Sequence, residues 1–308
     1  MKTTHRDYAE SLGDFGRLAQ FVIANNPAVR TYSTWCLGRL VDWRYSVWAH
    51  KWPIERFCEA NAHLWFDGFG ELAGFAVSEN GDADFAILTA AGYRFLFEGM
   101  LGWALNAWAA RGPRFTMEVT AAQELEIAAL ERAGFQRRST FYTQAFDLTQ
   151  PLPARYPLEE GFSIVDMAAH PGYRAQRVMR TDGFEDRVMS EPEMAQVLAW
   201  QQIYHSGPTY HAPTDLCVVA PDGTFASGCE ALIDARNAEA DVERVCTHSA
   251  YRRRGLARAV IQECLYRLQG MGIRRAHITE YSPSAIALYR SLGAGSETAS
   301  YSYERAGG

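Results

Sequence analysis

The sequence predicts an α/β protein of the α+β kind, built as two domains that repeat one plan of strands and helices. Three observations carry that expectation. The 308 residues are about twice the ~150 of an ordinary domain. Three closely spaced prolines, Pro151, Pro153 and Pro157, discourage helix and strand alike and mark a linker. On either side of that linker, segments of the same type follow one another in the same order.

In the first half the order is a strand over 72–78, a strand over 83–88, a helix over 97–110 stopped at Gly112, a strand over 115–119, and a helix over 123–133 stopped at Gly134. A further strand, 140–148, leads into the linker. After it comes a short opening strand, 161–166. The second half then gives strands over 217–220, 225–233 and 241–246, the first two joined by a Pro-Asp-Gly turn at 221–223. A glycine-bearing loop, a helix over 256–269, a strand over 276–279 and a helix over 284–292 closed by Gly293 complete it. The offset between matching segments is about 160 residues, as a duplication requires. The expected domains are therefore 1–150 and 151–308.

Composition narrows the function. The net charge of −6, shared equally by the two halves, argues against a nucleic-acid or anionic-membrane footprint. Cys36, Cys58, Cys217, Cys229, Cys246 and Cys264 form no CxxC pair and sit among apolar residues, as reduced core thiols do. His205, His211, His248 and His277 lack the spacing of a helical metal site, so no metal is expected. His205 and His211, read as loop residues, are candidates to border a binding pocket. The opening residues carry no apolar leader and no run is long enough to span a bilayer, so a cytoplasmic protein is expected.

The chemistry concentrates in Val245-Cys-Thr-His-Ser-Ala-Tyr-Arg-Arg-Arg-Gly-Leu-Ala257, which joins an apolar strand end to a helix start. The first turn of a helix leaves N–H groups without partners and adds a partial positive charge, so an anion binds there. Gly255 lets backbone come close, Ala257 keeps the next turn small, and Arg252, Arg253 and Arg254 add permanent charge. Glu243 and Asp241 lie two apart on the preceding strand, so alternation puts both carboxylates on one face together with Val245.

These residues resemble the GNAT acyltransferase superfamily in its tandem-domain form. Its Arg/Gln-x-x-Gly-x-Gly/Ala signature is matched by Arg252, Gly255 and Ala257, its Val-x-x-His strand end by Val245 to His248, and its closing helix by Leu288-Tyr289-Arg-Ser-Leu-Gly293. The match covers 212–304, with an eroded copy at 70–147. The resemblance implies two GNAT-like domains, each a mixed, mostly antiparallel sheet flanked by helices, with splayed central strands in the C-terminal one. It implies acetyl-CoA as donor, its pyrophosphate on the amides of residues 253–258, and direct attack by an amine while an N–H near Val245 holds the oxyanion. The donor site it implies comprises Val245, Cys246, Thr247, Arg252, Arg253, Arg254, Gly255, Leu256, Ala257, Arg258 and Ser282. Tyr289 would protonate the departing thiolate, and Glu243 or Asp241 would take the proton of the amine, Asp241 alternatively holding a cationic acceptor.

Ser282 stands where many members carry asparagine, and Ala294 where phenylalanine is usual. In the first half the cradle glycine falls at Phe95, two of three arginines are gone and the tyrosine falls at Leu130. That half is expected to keep the scaffold without a donor site. Its aromatic residues Trp35, Trp43, Trp48, Trp52, Trp65 and Phe66 belong to a core or wall an acceptor pocket. The partner is a small-molecule or peptide amine, met by a monomer or homodimer. A non-catalytic acetyl-CoA sensor and a transferase of another acyl or aminoacyl group are the alternatives.

Overall fold

Pro151, Pro153 and Pro157 keep residues 148–162 free of helix and strand, as the missing N–H and fixed φ of proline dictate. The computed structural model describes residues 2–29, 33–45 and 54–307. They divide into two units, one of residues up to 142 together with 298–308, the other of residues 143–297. The division falls at 142/143 instead of 150/151, and the C-terminal end of the chain belongs with the first unit.

In the first unit β1 (Thr4–Asp7), β2 (Ala62–Phe66), β3 (Leu72–Ser78) and β4 (Phe85–Thr89) form an antiparallel sheet in that order. Alternation divides its side chains between two cores. Leu64, Phe75 and Leu88 face α1 (Asp14–Val29), α2 (Leu37–Tyr45) and α3 (Ile54–Asn61) through Leu18, Leu40 and Phe57. Trp65, Ala76 and Ile87 face α4 (Phe97–Ala107) through Phe97, Met100 and Leu101. β5 (Arg114–Thr120) and α5 (Glu124–Arg132) follow. Then β6 (Gln136–Asp147) runs out of this unit into the second. The last strand of the unit, β12 (Ser296–Ala306), comes from the far end of the chain. Its residues 300–306 pair antiparallel with β5, and Tyr303 enters the core opposite Met117. Trp35, Trp43, Trp65 and Phe66 are all core residues here, and Trp48 and Trp52 lie outside the described residues.

The second unit orders its strands β6-β11-β10-β9-β8-β7, where β6 supplies residues 143–147. The others are β7 (Ser163–Asp166), β8 (Tyr210–Val219), β9 (Phe225–Asp234), β10 (Glu239–Thr247) and β11 (Arg275–Glu280). β7 to β10 are antiparallel, and β10 and β11 are parallel. One face packs on α8 (Leu256–Gly270) and α9 (Pro283–Arg290) through Ala240, Val242, Val260, Ile261, Leu265 and Ile278. The other is covered by α6 (Tyr173–Glu185) and α7 (Glu191–His205). Helix α8 forms where apolar residues recur at 256, 260, 261, 264, 265 and 268, and it stops before Gly272 at φ +84°.

The first unit thus holds an antiparallel four-stranded sheet and the antiparallel pair of β5 with β12, the second a mixed, mostly antiparallel sheet, and helices cover the sheet faces of both. The paired order β1 to β4, α4, β5, α5 recurs as β7 to β10, α8, β11, α9. All six cysteines are buried thiols. No helix of the described residues is long and apolar enough to cross a membrane.

Candidate active site

β10 and β11 pair from Glu239 opposite Arg275 to Asp241 opposite His277, and the register goes no further. Immediately beyond, β10 carries a bulge. Glu243 faces Glu230 of β9 while Cys246 faces Gly228, and Arg244 sits between them at φ +52°. The extra residue overturns the expected alternation. Val245 does not share the face of Glu243; it packs against the core of Ala240 and Val242, while Cys246 turns toward α6 beside Met179. Asp241 therefore lies in the paired part of the strand and Glu243 in the part that has left its neighbour.

The loop after β10 turns through a 3₁₀ segment, Ser249–Tyr251, and enters α8 by two left-handed residues, Arg253 at φ +69° and Gly255 at φ +76°. The Ala259 N–H is donated to the Gly255 carbonyl at 3.1 Å. The amides of Leu256, Ala257 and Arg258 thus remain as the orphan donors of the first turn. The arginines do different work. Arg252 donates to the carbonyls of Thr247 (3.4 Å) and Gly183 (3.2 Å), fastening the loop to β10 and α6. Arg254 is ion-paired with Glu159 of the linker and lies over the Phe162 ring at 4.6 Å. Arg258 donates to Ser291 Oγ at 2.5 Å and lies over the Tyr156 ring at 5.4 Å. Arg253 is exposed and makes no ion pair with a described residue. Thr247 shares a 2.9 Å hydrogen bond with Ser227.

Tyr289 projects from α9 and is 6% exposed. Its hydroxyl has no hydrogen-bond partner among the described residues. Burial, with the nearby negative charge of Glu243 and Glu280, pushes its pKa well above the ordinary tyrosine value, so it stays protonated. Ser282 caps α9, its Oγ accepting from Ala285 N–H at 3.3 Å. Glu280, on the last residue of β11, is a feature the sequence reading missed. It is 1% exposed, accepts from Gln144 Nε2 at 3.2 Å, keeps Oε2 without a partner, and is raised above the usual carboxylate range by burial. The signal was present only as a carboxylate two residues beyond an apolar Ile278.

Under α6 and α7 the sheet face is polar. Arg180 donates to Asp215 Oδ1 (3.2 Å) and Glu230 Oε2 (2.9 Å); Arg244 and the Tyr204 hydroxyl also bond Glu230; and Tyr210 donates to Asp215. His205 is not a loop residue: it ends α7 and stacks on Tyr210 at 3.9 Å. Likewise His211 belongs to β8, because both residues follow the sheet pairing and helix packing that the proline-bearing loop concealed. His205, Asp215 and Glu230 place one ligand atom each within 4.8 Å of the others. Arg180 and Arg244 already neutralise both carboxylates, and burial beside these arginines pushes His205 down to about 3, which makes this an acid–arginine network. His277, buried on β11, is lowered to about 4. His248 pairs with Asp182 at 3.3 Å behind the loop.

In chain order, β10 stops pairing with β11 after Asp241, bulges at Arg244 and leads through a loop to the left-handed Gly255 that starts α8. The sequence of residues 182–294 matches the acetyltransferase (GNAT) family. That match lies within the second unit. No curated protein is matched by the sequence. Among solved structures, the whole chain is similar to a tandem GNAT protein from the clavulanic acid biosynthesis pathway, with TM-score 0.70 and 14% identity, covering 100% of this chain and 99% of that one. It is similar also to a GCN5-related N-acetyltransferase from Sphaerobacter thermophilus, with TM-score 0.68 and 18% identity, covering 99% and 95%. The fold is a tandem GNAT fold.

In the first GNAT-like unit the counterpart of the cradle is a 3₁₀ segment, Ala91–Leu96, that carries an exposed Phe95. Leu130, the counterpart of Tyr289, is fully buried in the core. A cavity of about 320 Å³ nevertheless persists along β4 and β5, lined by residues that include Leu88, Thr120 and Gln123. Arg94 and Glu126, joined at 2.5 Å, line it as well.

Proposed function

We propose that the second unit is an N-acetyltransferase that takes acetyl-CoA as donor and transfers the acetyl group directly to an amine. The observation that carries this is the parting of β10 from β11 immediately after Asp241 and His277, with Glu243 and the unpaired Tyr289 hydroxyl beyond the last pair. The residues fit the donor. The left-handed Gly255 and the orphan amides of the first turn of α8 suit a diphosphate, and Arg253 and Arg258 add charge beside them. Backbone groups of β10 and β11 that no longer pair with one another are available to the amides of a pantetheine arm.

Glu243 takes the proton of the acceptor nitrogen; Asp241, held inside the paired stretch, is the poorer candidate. The amine lone pair forms the C–N bond at the thioester carbonyl, an N–H at the β10 bulge stabilises the oxyanion, and the C–S bond breaks as it collapses. Tyr289, kept protonated by its surroundings, gives its proton to the departing sulfur. An unpartnered hydroxyl on a largely buried tyrosine beside the parted strands favours turnover over ligand sensing.

The test is release of free thiol from acetyl-CoA by the full chain across a panel of amines, repeated with other thioesters. Acetyl-CoA binding with amine-dependent thiol release supports transfer. Binding without release from any thioester establishes the sensor instead.

A further inference from the structure

Three arginines meet on the α6 side of the β10 bulge, and two of them are accounted for. Arg180 is held by Asp215 and Glu230, and Arg244 by Glu230. Arg177, one helical turn before Arg180, is the third. It makes no hydrogen bond or ion pair with a described residue, and its Nε is buried without an acceptor. Close packing keeps it there. Helix α6 is pressed so tightly onto β10 that a Cβ on Gly183 would meet Cys246 Cβ at 3.0 Å. Of the acids around it, Glu185 is turned away to Arg187 at 2.6 Å, and Asp182 is bonded to Ser249 on the loop. Cys246, the other ionisable group beside Arg177, is a thiol pushed up to about 11 by burial and remains neutral. Burial and the two neighbouring arginines lower Arg177 to about 10, and the charge of Glu185 offsets only part of that, so the guanidinium stays charged at a net cost.

Burying part of a guanidinium without a counter-ion disfavours the folded chain unless something else supplies the negative charge. The place also matters. Glu243, the proposed base, is the cross-strand neighbour of Glu230, to which Arg180 and Arg244 are joined. Arg177 and Glu243 therefore belong to the same sheet face, under the same helices. We infer that the acceptor of this unit is a small amine that also bears an oxyanion, a carboxylate or a phosphate monoester, and that Arg177 binds the oxyanion while the amine reaches Glu243. A guanidinium offers a planar fork of N–H donors suited to either group. This rests on the transferase reading of the same site, and it reverses the expectation that Asp241 receives a cationic acceptor.

The experiment uses the full chain with acetyl-CoA and matched acceptor pairs: α-amino acids against their carboxamides, and phosphoethanolamine against ethanolamine. Arg177→Gln and Arg177→Lys are assayed beside the parent, with coenzyme A affinity and Tm followed in each. The expected result is at least a tenfold higher kcat/KM for the anionic member of a pair, the carboxylate or phosphate arm identifying which oxyanion. In Arg177→Gln that preference falls tenfold or more through KM, Arg177→Lys restores part of it, and coenzyme A affinity is unchanged. Equal or better use of the neutral members overturns the inference, as does a preference that survives in Arg177→Gln. Absence of transfer to every member with coenzyme A still bound also overturns it. Failure of the parent to bind coenzyme A overturns the transferase reading instead.

Discussion

The ring of Tyr156 occupies the space that a side chain at position 255 would need. A Cβ built on Gly255 falls 2.9 Å from Tyr156 Cζ and closer still to Cε1. The linker therefore reaches the cradle. Tyr156 N–H is donated to Gln262 on α8 at 2.7 Å, Arg155 pairs with Glu263 at 2.8 Å, and Glu159 holds Arg254. The glycine of the signature serves the packing of the second unit as well as any anion.

Gly255→Ala separates these demands. The left-handed φ alone costs about 1–2 kcal/mol for a residue with a Cβ, and overpacking against the ring adds about 1–3 kcal/mol. In a Tyr156→Ala background the second cost disappears and the first remains. A double-mutant cycle from denaturant midpoints should show coupling of that size, with coenzyme A affinity measured in the same four proteins.

Tyr289→Phe removes only the hydroxyl. If the hydroxyl protonates the thiolate, kcat should fall about 10²- to 10⁴-fold while coenzyme A affinity stays as it was. The direction of its pKa gives a second readout. The acid must be protonated to act, and burial raises its pKa above the ordinary ~10. The alkaline decline of kcat should therefore begin above the usual tyrosine range.

The sequence already favours Glu243 over Asp241 as the base, as the carboxylate nearer the thioester end of the cleft, and the end of strand pairing supports that choice. Glu243→Gln should abolish the acidic limb of the kcat/KM profile and lower the rate about 10²-fold or more. Asp241→Asn should leave the limb in place, because its side chain belongs to the paired stretch opposite His277. Loss of the limb in Asp241→Asn alone would reverse the assignment.

What was legible in the sequence follows from where the signal is local. Strands 72–78 and 225–233, helix α8 and the glycine stops at 134, 272 and 293 announce themselves by apolar period and left-handed glycines. Helix α7 does not, because the side chains it buries include Gln201 and Tyr204, which serve the acid–arginine network and blur any apolar stripe. The bulge at Arg244 was also invisible. A single extra residue in a strand changes no composition, yet it moves Val245 to the opposite face. β12 was missed since the Ser296–Ala306 run reads as polar, its partner strand lying far back in the chain.

The acid–arginine network makes a stability prediction. Arg180 is 4% exposed and answers two fully buried carboxylates, so Arg180→Met should destabilise the protein by about 3–5 kcal/mol. Burial raises Asp215 and Arg180 opposes that rise, so the substitution raises it further. A carboxyl whose folded pKa is raised contributes stability that is full below its unfolded value and is lost as pH rises through the folded one. The deficit of Arg180→Met should therefore shrink on acidification, and Asp215→Asn should recover part of it at neutral pH. Urea midpoints between pH 5 and 8 measure both.

The C-terminal strand supplies the last prediction. Residues 300–306 of β12 pair with every residue of β5, and Tyr303 is 3% exposed in the core with Phe115, Met117 and Leu130. Deleting residues 298–308 would strip a partner from one edge of β5 and open that core, exposing unpaired N–H and C=O groups of the kind that drive aggregation. It would also take from β6 its neighbour on that side, whereas β9 is not adjacent to β12 and loses no partner. Hydrogen exchange should then show residues 114–120 losing protection by at least about 10²-fold, while residues 225–234 of β9 keep theirs. Rejoining 298–308 after residue 142 through a short Gly/Ser connection, in a first-unit fragment, should restore protection to 114–120. Retention of full protection in the truncated chain would mean that β12 contributes little to the first unit. A fragment ending at residue 150 lacks β12 and should fare no better than the truncation.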